Sequence, residues 1–161
     1  MSKKSVILEP GKVPERILKR SVISPLTVKR PEVILGSGVG EDCGAVACEP
    51  DEVLVMSTDP ITGTAIDIGH LAVDITANDL ASAGAEPVGI LLTVMLPPQS
   101  EEEELKTIMT EVNASCVRLN LSVIGGHTEV TDAVTRPLLS VTGVGKVKRD
   151  AMVTTSGAKP G

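Results

Sequence analysis

IGHLAVDITANDLASAGAEP, residues Ile68 to Pro87, is a run of small and apolar residues with Asn78 and Asp79 in its middle. Its length, its Ala and Leu content and the lack of an internal Pro predict a helix. Asp67 is the expected N-cap. Gly84 and Pro87 are the expected stop signals. At roughly 100° per residue no wide polar face emerges. Leu71 and Ile75 share a face with Asn78, while Asp79 falls beside Ala72, Thr76 and Ala83. A helix apolar nearly all round is normally buried. A buried carboxylate is costly unless it is paired, hydrogen-bonded or bound to a metal. Asp79 is therefore expected to need a partner.

Downstream, Val88 to Leu96 is a continuous apolar run, expected to be a strand buried on both faces. Ser100 to Leu119 reads as a second helix. Ser100 followed by Glu103 is a capping-box pattern, and Glu101 to Glu104 form an acidic, solvated first turn. Leu105, Ile108, Met109, Val112, Cys116 and Leu119 make one apolar stripe. Leu121 to Ile124 reads as a short strand leading into Gly125-Gly126-His127-Thr128-Glu129, and Leu138 to Val147 as a long strand broken by Gly143 and Gly145.

Upstream, Ala45 to Cys48 and Val53 to Thr58 read as strands separated by a turn at 49–52, with Asp59 at the second strand's C-terminal end. Glycines 36, 38, 40 and 44 mark a loop with the core GSGVGEDCG. Such backbone either cradles an anion or simply turns, and it lacks the GK[ST] ending of a Walker loop. Val13 to Ser21 predicts a short helix with Pro14 in its first turn. Residues 1–12 read as flexible, and 151–161 as turn or linker. The order β-β-α-β-α-β-β predicts an α+β fold: a mixed or antiparallel sheet with two long helices on one face. The opposite face then needs cover, which a partner subunit packing sheet on sheet would supply.

Composition narrows the function. With 161 residues the chain is long enough for one domain with a real core. A net charge of -6 and no basic cluster argue against nucleic-acid binding. The absence of Phe, Tyr and Trp excludes stacking platforms for single strands or bases. No segment has the length of a membrane-spanning helix or the form of a signal peptide, so a cytoplasmic protein is expected. Cys43, Cys48 and Cys116 have no CxxC spacing; they read as buried or half-buried free thiols rather than zinc ligands.

Three acids remain without nearby bases: Asp42 in the glycine loop, Asp59 and Asp79. Oxygen ligands of this kind suit magnesium with phosphate. Asp42 and Asp59 also suit turn or capping positions. GEDCGAV (Gly40 to Val46), STDPI (Ser57 to Ile61), the Ile68–Pro87 run and GGHTEVT (Gly125 to Thr131) together resemble the aminoimidazole ribonucleotide synthetase superfamily. GHTEVT followed by Arg136-Pro137 is most similar to its synthetase-related, hydrogenase-maturation branch.

The resemblance implies a homodimer whose subunits close a barrel and bind ATP and Mg2+ at their interface. It implies metal ligands at Asp42, Asp59 and Asp79, and cofactor-binding positions at Gly40, Asn78, Gly125, Gly126, His127 and Thr128. Position 127 is His where several members carry an acid, so Glu129 is the substitute metal ligand; the other reading of His127 is a loop histidine bonded to backbone. Lys12 is either a phosphate-contacting or a solvated lysine. By the same resemblance, residues 1–32 are an arm with a short helix. Residues 33–149 are the nucleotide-binding, dimer-forming domain, and 150–161 begin a linker to a C-terminal domain absent from this chain.

The implied reaction is ATP-dependent phosphorylation of a substrate oxygen, amide or carbamoyl, on a small molecule or a protein. The chain alone is expected to be inactive, and no catalytic residue is assigned. The alternative is a non-catalytic dimeric scaffold in hydrogenase maturation. No nucleic-acid or membrane partner is expected.

Overall fold

The computed structural model describes residues 6–41, 43–62, 66–154 and 156. The elements are β1 (Gly11–Lys12), α1 (Glu15–Ile17, continuing as a π-helical segment Leu18–Ile23), β2 (Val33–Leu35), β3 (Ala45–Val46) and β4 (Glu52–Ile61). They continue with α2 (Ile68–Ser82), β5 (Glu86–Leu96), α3 (Glu102–Leu119), β6 (Ser122–Val130) and β7 (Leu138–Lys148). The main sheet has the order β1-β6-β5-β7-β4, and β2 pairs with β3 separately. β5 and β6 are parallel, linked across α3, while β7 runs antiparallel to both β5 and β4. The expected mixed sheet with two long helices on one face is what forms.

Alternation fixes the faces of the sheet. Leu92, Val94, Val141 and Leu139 turn toward the helices and are buried with Leu105, Met109 and Val112 of α3 and Ala72 and Val73 of α2. On the opposite face Leu54, Met56 and Leu91 are exposed, and Thr58 and Thr142 hydroxyls meet at 2.9 Å across β4 and β7. Pro60 is accommodated because β4 is an edge strand.

Several local expectations are corrected. α2 is not buried all round: Leu71, Ile75 and Asn78 lie exposed and Asp79 is half-buried. Asp67 occupies the N-cap position as expected, but at φ 56° its side chain makes no cap bond, and Gly69 N–H donates to Glu111 Oε2 on α3 at 2.9 Å. The two helices touch at Gly69, where a Cβ would stand 2.5 Å from the Ile108 carbonyl.

The expected capping box of α3 does not form. Its N-cap is Glu101 without a side-chain bond, and Ser100 Oγ is buried with no partner among the described residues. Glu102 is not solvated. It is 2% exposed and held by Arg20 at 2.6 and 2.5 Å and by the Ser21 hydroxyl at 2.7 Å. These contacts hold its carboxyl at about 2.

The segment before α1 is not loose where it is described. Leu8, Val13 and Ile17 join the main core, and β1 pairs with β6. Ala45 pairs with Leu35 rather than with β4. β6 runs straight through the Gly-Gly pair, where the strand was expected to end. At Gly126, φ 150°, a Cβ would lie 1.9 Å from the Leu92 carbonyl, so a close backbone approach accounts for the glycine. Gly143 likewise leaves room for Thr76 of α2, whose Cγ2 would be 2.4 Å from a Cβ there. Cys43 and Cys48 are exposed, against expectation. Cys116 is buried, and burial pushes its thiol up to about 12.

Candidate functional site

The expected site residues fall into two groups at opposite edges of the sheet. The first is acidic. Ser57 and Asp59 point from β4 toward α2, and the Ser57 hydroxyl donates to Asp79 Oδ2 at 2.8 Å while approaching Asp59 Oδ2 at 3.5 Å. The Asp79 carboxyl, then partial burial, hold Asp59 above the usual carboxylate range, against a smaller opposing effect of Ser57. Neither acid forms an ion pair with Lys or Arg among the described residues. Two adjacent carboxyls without a base between them form a hard-oxygen donor set that fits a divalent cation such as magnesium. Asp42 lies outside the described residues, and among those described no group of three or more His, Cys, Asp or Glu converges on one point.

The second group surrounds a cavity of about 90 Å3 at the β1–β6 edge. Gly40, Gly125, Gly126, His127 and Thr128, expected as cofactor contacts, all line it. Lys12, Val13 and the π-helical residues Leu18, Val22 and Ile23 close one side, with Leu92 and Met109 at the back. Asn78 is not among these residues; it lies on the exposed face of α2. A five-membered ion cluster fixes the segment that feeds the glycine loop: Arg30 binds Glu32 at 2.7 Å and Glu86 at 2.6 Å, and Lys146 reaches Glu32 at 2.9 Å and Glu52 at 3.8 Å. The cluster holds Glu32 well below, and Arg30 well above, their ordinary ranges, in each case first through the hydrogen bond between the two.

His127 and Glu129 project from the helix-free face of β6, their side chains 3.2 Å apart. The structure does not bring Glu129 to the aspartate pair. β6 and β4 are three strand spacings apart, roughly 14 Å, and Asp59 faces the other side of the sheet. Residue reasoning missed the Arg30 cluster and the role of the π-helical segment. The only local signal was the ERILKRSVI amphipathic run, whose buried partners lie far away in sequence.

An α+β domain with an acid pair at one sheet edge and a glycine-lined cavity at the other is the class defined so far. The chain belongs to the family described as AIR synthase related protein, N-terminal domain, whose model matches residues 40–147. It is 30% identical over 144 residues to a putative hydrogenase expression/formation protein of Methanocaldococcus jannaschii, covering 86% of this chain and 43% of that protein. It is 33% identical over 144 residues to a thiamine-monophosphate kinase of Methanospirillum hungatei, covering 84% of this chain and 48% of the kinase. A solved structure of hydrogenase maturation protein HypE in complex with ATP superposes with a TM-score of 0.77 at 22% identity, over 91% of this chain and 43% of that one. This last likeness concerns the fold. The chain spans a little under half the length of the curated relatives it matches. No helix among the described residues is long and apolar enough to cross a membrane.

Proposed function

We propose that this chain is the ATP- and magnesium-binding half of an ATP-dependent phosphotransfer enzyme, which activates an amide or carbamoyl oxygen by phosphorylating it. The observation that carries the reading is the unpaired Asp59–Asp79 acid pair, oriented by Ser57. Asp59 and Asp79 would hold the cation, with Asp42 the third member of the set on the strength of the family motif. Magnesium, when bound, neutralises charge on the terminal phosphates. The glycine-lined cavity excludes water from the nucleoside. Its neighbouring backbone at Gly40, where a Cβ would meet nothing within 4 Å, leaves room for a phosphate to approach.

The acid pair and the cavity lie at opposite edges of one sheet, too far apart to act as one compact pocket in a single chain. A second copy would solve this by covering the exposed face that carries Leu54, Met56 and Leu91. We therefore propose a homodimer with a shared site.

The test is calorimetric titration with a non-hydrolysable ATP analogue, with and without magnesium. Magnesium-dependent binding is expected, weakened at least about tenfold in Asp79→Asn, equivalent to ~1.4 kcal/mol. Binding indifferent both to magnesium and to Asp79→Asn would overturn the proposal and leave a scaffold role.

A further inference from the structure

The β2–β3 hairpin faces the start of β6, and the space between them is divided in two. One compartment is the glycine-lined cavity of about 90 Å3, bounded on the hairpin side by Gly38 and Gly40, with Lys12, Glu41 and His127 also lining it. The other, of about 510 Å3, lies on the side of Val33 and Gly36. Ile23, Leu26, Ser37 and Val123 line both, so these four residues form the partition. One polar strut crosses it: the Ser37 hydroxyl donates to the Val123 carbonyl at 3.1 Å.

The strut is a light tie. Among the described residues the hairpin makes no main-chain hydrogen bond with the five-stranded sheet. Its base closes on itself, Ala47 N–H donating to the Glu32 carbonyl at 2.7 Å. A single hydrogen bond of the Ser37 kind biases an equilibrium by about two- to tenfold. Size argues that the tie has to yield. Pockets for ligands and cofactors ordinarily span about 300–1,000 Å3. The glycine compartment falls well short of that range, and the larger compartment lies within it.

We propose, deepening the nucleotide reading on which this rests, that the two compartments are one elongated site and that Ser37 is the latch between them. A nucleoside triphosphate lies with its phosphates beside Gly38 and Gly40 and reaches past Ser37 into the larger compartment. The Ser37 hydroxyl leaves the Val123 carbonyl as the nucleotide enters. Ser37 is thus a positioning residue: it sets affinity by holding the empty site closed.

The chain contains no Phe, Tyr or Trp, so one introduced Trp is its only aromatic fluorophore. Ser24 and Lys29 are exposed and line the larger compartment alone. Ser24→Trp, with Lys29→Trp as a second reporter, therefore reads that compartment. With magnesium present, a non-hydrolysable ATP analogue is expected to change the Trp emission saturably, at the midpoint that calorimetry gives. Inorganic triphosphate is expected to leave the emission unchanged. In the chain with its own Ser24, Ser37→Ala is expected to tighten the ATP analogue about two- to tenfold, since the latch no longer opposes entry. It should not alter the affinity for inorganic triphosphate. Thermal unfolding shows that each variant is folded.

Calorimetric binding of the ATP analogue to either Trp variant with unmoved emission overturns the inference and leaves the nucleotide reading standing. So does a Ser37→Ala chain with unchanged or weaker affinity for the analogue. Loss of binding in Ser24→Trp at the parent's melting temperature supports the inference, because the new side chain meets the larger compartment alone. Failure of the parent chain to bind the analogue removes both readings together.

Discussion

Asp59 and Asp79 show how far side-chain chemistry can be read without coordinates. Their proximity was implied by the family resemblance of STDPI and the Ile68–Pro87 run; spacing alone also suited Asp59 to a turn or cap. Their environment was not: Asp79 is half-buried, since α2 keeps an exposed face through Leu71 and Ile75 despite its apolar composition. Asp59 is raised first by the hydrogen bond it shares with Asp79, which favours its neutral form, and then by partial burial and the neighbouring like charge. Asp59→Asn is therefore expected to raise the melting temperature slightly in magnesium-free buffer at neutral pH. It should also abolish any rise caused by added magnesium, and differential scanning fluorimetry with an external dye reads both effects. Glu102 has the opposite sign. Its folded value near 2 lies below the ordinary 4.5, so its stabilisation is full above about pH 4.5 and fades as pH falls toward 2. Glu102→Gln is expected to cost about 1–2 kcal/mol at neutral pH, limited because Arg20 is half exposed. The loss should shrink as urea midpoints are taken at lower pH.

At the scale of elements, long apolar patterns were legible and glycine was not. Val88 to Leu96 was legible as a strand and the Leu105–Cys116 stripe as one face of a helix, but the strand is buried on one face only, with Leu91 exposed on the other. Gly125-Gly126 suggested the end of a strand because sequence does not distinguish a glycine needed for φ from one needed for space. The close approach of the Leu92 backbone is a property of strand neighbours 34 residues away. Capping failed for the same reason. The group that satisfies the start of α2 comes from Glu111, on another helix. β1, two residues long, exists only by virtue of its partner β6. Gly69→Ala tests this non-local reasoning. By helix propensity the change should help by up to about 1 kcal/mol. Because the new methyl would meet the Ile108 carbonyl, it is instead expected to destabilise by about 1–3 kcal/mol, measured by chemical denaturation.

The whole molecule is a two-layer unit with one sheet face left bare. Exposed Met56 and Leu54 on this face are the apolar surface that the proposed dimer would cover. Sedimentation is expected to show a dimer, and Met56→Lys to shift it to monomer while leaving the urea midpoint of the monomer within about 0.5 kcal/mol. The placement of acids on β4 and cavity on β6 has a genetic corollary. If every working centre borrows one edge from each copy, a chain crippled by Asp59→Asn and another crippled by His127→Ala complement each other when co-expressed. A mixed pair then regains one intact centre out of two, and nucleotide stoichiometry recovers to half for that pair, although either parent alone binds poorly.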